Sequence, residues 1–138
     1  MTFKLANAAL TQAYVDVGLA LPTAYEGVQF TPPDNDDWAA LFVLPATNAP
    51  ATLGVGGDDE EDGILQVDFN TPLGLGTAAL LRYADEVQKT FIAGKGFTHL
   101  TQTVYVRNVD RSGIIQDDGW LRISISITWY TRYIREIF

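Results

Sequence analysis

Two periodicities divide the chain. Phe3, Ala6, Leu10, Ala13 and Val17 recur at helical spacing with Tyr14 beside them, which predicts a first helix capped by Thr2 and ended by Gly18. Residues 19–31 read as an extended connector holding a short strand over 25–30, closed by Pro32 and Pro33. An apolar strand is predicted over 38–44, stopped by Pro45, with a return segment over 51–55.

The middle of the chain organises the rest. Leu65, Val67 and Phe69 alternate with Gln66, Asp68 and Asn70, the pattern of a strand with one dry and one wet face. Pro72 ends that strand, and Gly74 and Gly76 turn the backbone. From an N-cap at Thr77, Leu80, Ala84, Val87 and Phe91 then form the apolar stripe of a second helix. A strand follows over 100–107, with Thr101, Thr103, Tyr105 and Arg107 on one face and Val104 and Val106 on the other. Residues 108–119 read as a connection ending in an Asp118-Gly119 turn. Leu121, Ile123, Ile125, Ile127 and Trp129 then alternate with polar residues in the clearest strand of the chain. Five large apolar residues on one face need cover, and the second helix is the predicted partner. The tail, 131–138, is too apolar to lie free and is expected to pack back or meet another subunit. The predicted class is α+β, a mainly antiparallel β-sheet with two helices packed on one face, in a single domain over 1–138.

Composition sharpens this picture mainly through charge. The chain has 138 residues, no cysteine and a formal charge of −8, which disfavours adhesion to nucleic-acid phosphates. Lys4 is the one basic residue in 1–70 against 11 acidic ones, whereas 71–138 carry eight basic and six acidic residues. Such a lopsided domain can meet a second copy head to tail. Asp58, Asp59, Glu60, Glu61 and Asp62 are consecutive and flanked by glycines, so a mobile acidic loop is predicted over about 54–63. Its carboxylates lack the spacing of a calcium-binding loop, and a solvated loop explains them better than a metal site. No apolar run is long enough for a membrane span.

No set of residues announces catalysis. His99 is the single histidine, so imidazole-based metal sites and proton relays lack a second member. Ser112, Ser124 and Ser126 sit in no nucleophile-elbow context, and Asp117 and Asp118 are explained by their turn. Gly74-Leu-Gly-Thr-Ala-Ala79 matches a dinucleotide-binding fingerprint in letters. It leaves its strand too late, however, and no second strand follows to supply an acidic ribose contact. A small nucleotide-binding α+β domain is therefore the weaker alternative.

Three segments together resemble the bacteriophage tail terminator proteins of long, non-contractile tails. They are Tyr25-Glu-Gly-Val-Gln-Phe-Thr-Pro-Pro33 after a helix, the stretch from Gly63 to Gly76 followed by Ala84-Asp-Glu-Val87, and Asp118-Gly-Trp-Leu-Arg-Ile-Ser-Ile-Ser-Ile-Thr128. Gly27 departs from the asparagine common at its place in that family. The resemblance implies a non-enzymatic virion protein, made in the host cytoplasm and placed at the head-proximal end of the tail. There a homo-hexameric ring stops growth of the tail tube, offers a docking surface to a head completion or connector protein, and lets DNA pass without sticking. Another head–tail connector or tail tube component is the nearest alternative. No cofactor is implied; a divalent cation would at most aid assembly weakly. The expected contacts between copies pair residues 58–62 with Arg107 and Arg111 of the next copy, with Ile134, Ile137 and Phe138 as the apolar candidates.

Overall fold

The computed structural model describes residues 2–134, in the order α1 (Thr2–Asp16), β1 (Thr23–Tyr25), β2 (Trp38–Pro50), β3 (Asp58–Pro72), α2 (Ala78–Thr90), β4 (Gly96–His99), β5 (Gln102–Arg111), β6 (Ile115–Asp117) and β7 (Trp120–Ile134). The seven strands form one sheet in the order β1-β2-β3-β7-β5-β4, with β6 paired to β7. The sheet dominates an α+β fold and is mixed, because β1 runs parallel to β2 while the other pairings are antiparallel.

β3 and β7 form the spine. They pair without a bulge from Asp58 opposite Ile134 to Pro72 opposite Trp120. Alternation sends Leu65, Val67 and Phe69 inward opposite Ile127, Ile125 and Ile123, and every one of these is buried. Ala39, Leu41 and Val43 of β2 and Val104 and Val106 of β5 extend the layer. Ala6, Leu10 and Ala13 of α1 and Leu80, Ala84, Val87 and Phe91, from α2 and its C-terminal end, belong to the same buried cluster. The other sheet face carries Gln66, Asp68, Ser124, Ser126 and Thr128, as the strand period requires.

Several boundaries differ from expectation. β2 runs through Pro45 to Pro50, because β1 covers only Ala39–Leu41 and the rest of β2 is a sheet edge needing no second set of donors. A register shift between Pro45 and Thr47 absorbs the first proline. β1 stops at Tyr25 instead of continuing to Phe30, since Gly27, at φ 74°, turns the chain and the Val28 amide bonds back to the Tyr25 carbonyl. β5 continues to Arg111 through a second register shift between Val106 and Asn108. Thr77 stands at the start of α2 but makes no side-chain cap bond. The largest difference is at residues 58–62. They are the first rungs of β3 and not part of a loop; the true turn spans 51–57. Pairing with β2 and β7 on both sides gives their amides partners that a local reading of five acids could not foresee.

Candidate assembly surface

Beyond the helix-covered core, β2, β3 and β7 continue as an arm, which β5 still flanks as far as Val104 opposite Thr131. Gly63 stands at its base. It sits opposite Trp129, and a Cβ there would lie 2.2 Å from the Leu44 carbonyl oxygen and 2.7 Å from Trp129 Cζ2. Only glycine lets the buried indole approach the strand this closely. Past Gly63, β2 exposes every residue from Leu44 to Pro50.

The acids of the arm point alternately to its two sides. Glu60 faces outward and is held by Arg107 at 3.2 Å and Arg132 at 3.5 Å, both in its own chain. The Arg107 guanidinium also lies 4.3 Å from the centre of the Tyr130 ring, which stacks on Tyr105 at 5.5 Å. These exposed pairs contribute little stability individually, but together they order a polar and aromatic patch at one end of the sheet. Asp62 accepts bonds from the Thr47 amide and hydroxyl, securing the register shift of β2. Glu61 points inward and is 8% exposed, with Oε1 lacking a partner. Burial, and secondarily the charge of Asp62, raises its carboxyl above the usual carboxylate range.

Arg111 lies elsewhere. It bonds Asp85 at 2.9 Å and Gln88 at 2.5 Å, tying β5 to the outer side of α2. Both arginines expected to reach a second copy are thus engaged within their own chain, and only Arg107 lies beside the acidic run. Ile134 is exposed at the end of β7, opposite Asp58. Ile137 and Phe138 lie outside the described residues. Tyr130 and Arg132 escaped the sequence reading because their place beside Glu60 follows from strand register, which composition does not reveal.

The opposite end of the sheet is locked by Asp37. Its carboxylate accepts bonds from Thr71, at 2.6 Å, and from the Tyr83 hydroxyl, which joins the entry of β2 to β3 and α2. Burial together with the hydrogen bond and charge of Asp37 pushes the Tyr83 phenol up to about 12. The glycine corner after Pro72 is fastened there too, by the Leu73 amide on the Gly119 carbonyl. Gly74 and Gly76 adopt φ of 98° and 82°, so the corner's glycines are explained by its turn. Among the described residues, no three histidine, cysteine or acidic side chains converge as metal ligands.

The arm and the patch beside Glu60 are the surface features that the strand register builds. Comparison with known proteins makes the class specific: the phage tail terminator protein family matches residues 4–129, and the chain belongs to it. This is a family of structural virion proteins, and membership places the chain in the virion tail. One similar solved structure, which carries no descriptive name, has a TM-score of 0.77 at 24% identity over 99% of both chains. Another, from the virion of a native gene transfer agent particle, has a TM-score of 0.58 at 15% identity, covering 96% of this chain and 98% of that one. Both similarities are of fold. No curated protein matches the sequence.

Proposed function

We propose that the protein closes the growing end of the tail tube as a ring of six copies, stops further polymerisation, and presents its free side to the head or a connector protein. The observation that carries this is the arm on a member of the tail terminator family. An element with most of its surface outside its own core gains by burial against a neighbour or the tube. Action is by binding alone, through occupation of the surface the next tube subunit would need. The excess of acid over base keeps passing DNA from adhering. Divalent cations act only by screening like charges between arms, without a held site.

Addition of the purified protein to polymerising tube subunits tests this reading. Elongation should cease at substoichiometric amounts relative to tube protein, with a ring-shaped density at one end. Rings found along the tube, or joined only to heads, would favour a different head–tail component.

A further inference from the structure

The outer edge of β2 is longer than the strand that covers it. β1 pairs only with Ala39–Leu41, which leaves β2 a sheet edge from Val43 to Pro50. Outward amides and carbonyls on such an edge repeat at the spacing a further strand needs, so an undefended edge invites a strand from another molecule.

The ladder between β1 and β2 ends on a side chain. The Ala39 amide bonds the Pro22 carbonyl at 2.9 Å, and the parallel register then advances in step along both strands. The same advance brings the Val43 amide level with residue 26. There β1 has stopped, because Gly27 turns the chain, and the Val43 amide donates instead to Glu26 Oε1 at 2.7 Å. The carboxylate thus stands where the next backbone carbonyl of a longer β1 would be. Two residues on, alternation points Pro45 to the same edge, and proline has no amide to offer. Past the register shift the Thr47 amide goes to Asp62, and Pro50 again lacks a donor. Glu26 differs from these other defences in lying outside every strand with its side chain exposed. A groove of about 260 Å³, lined by Asn7, Thr11, Tyr25, Leu41 and Val43 with Glu26 itself, leaves open space beside the edge.

We propose that Glu26 is a gatekeeper of the β2 edge: its carboxylate occupies the place at which a strand of a second copy would begin to pair, and so keeps copies from joining through β2. The inference is independent of the ring reading and concerns a contact that any ordered assembly has to avoid.

Sedimentation velocity, combined with amide hydrogen exchange read at Val43, tests it. Glu26→Ala removes the acceptor, while Glu26→Gln keeps one at the same reach without the charge. In dilute Glu26→Ala the Val43 amide should exchange roughly tenfold faster or more than in the unsubstituted protein, as loss of a bond to a charged acceptor implies. At higher concentration Glu26→Ala should associate beyond any assembly of the unsubstituted protein, and protection of Val43 should return in the associated form. Glu26→Gln should stay close to the unsubstituted protein in both measurements. A Glu26→Ala variant that associates no more than the unsubstituted protein, or whose associates leave Val43 exchanging freely, would overturn the proposal. Loss of the fold in Glu26→Ala would overturn it too, by making the bond a structural one. So would association of Glu26→Gln, which would show that charge repulsion and not the hydrogen bond closes the edge.

Discussion

Trp129 lies against Gly63 across the β3–β7 ladder, where a Cβ on the glycine would intrude to 2.7 Å from the indole. The pair stands at the base of the arm, where β2 becomes exposed while Glu61 and Thr131 one rung beyond are still buried. Gly63→Ala must displace both the Leu44 backbone and the buried ring, and should destabilise the fold by about 1–3 kcal/mol. Chemical denaturation would measure it, and a change below a few tenths would mean that the arm can pivot freely at this point.

Ile125 is 1% exposed in the middle of the shared core. Ile125→Ala should cost about 2–5 kcal/mol, a large share of the stability of a single domain. The check is again the denaturation midpoint, compared with Ser126→Ala on the opposite sheet face, which should be nearly neutral.

Tyr83 donates to a carboxylate whose other oxygen takes the Thr71 hydroxyl. Tyr83→Phe preserves the ring contact with Phe69 but leaves Asp37 short of a donor, at a cost of about 1.5–3 kcal/mol for a bond to a charged group. Adding Asp37→Asn should recover part of that loss, because the demand for the donor falls with the charge. An additive double variant would show that the bond carries no stability.

Glu61 predicts a pH dependence. Its folded pKa is raised, so the fold favours the protonated form and the charged form is a penalty at neutral pH. That penalty fades as pH falls through the folded pKa and is gone below the unfolded value of about 4.3. Glu61→Gln should therefore raise the melting temperature at pH 7, through a gain of the order of 1 kcal/mol. The advantage should vanish near pH 4. A variant equally stabilised at both pH values would place the cause outside ionisation.

Much of this architecture is written in local pattern. Leu65 to Phe69, Leu121 to Trp129 and the stripe from Leu80 to Phe91 each have one period and one buried face, and all are buried or partly buried as alternation requires. Asp118 and Gly119 both take positive φ in the two-residue turn between β6 and β7. What could not be read depends on partners distant in sequence. Asp58 and Asp59 look like loop residues until β2 and β7 are known to flank them, and Pro45 looks like a strand stop until its edge position is known. The surface was legible only in fragments. Tyr105 and Arg107 were placed on one face by alternation, but Glu60, Tyr130 and Arg132 join them through register alone.

The central claim is that this chain ends tail-tube growth. The most direct measurement is the length distribution of tubes polymerised with and without it, imaged by electron microscopy with the protein labelled. Growth should stop at tube ends carrying one ring of label, while unlabelled ends continue to elongate. Continued elongation from labelled ends, or label spread along the tube wall, would contradict it.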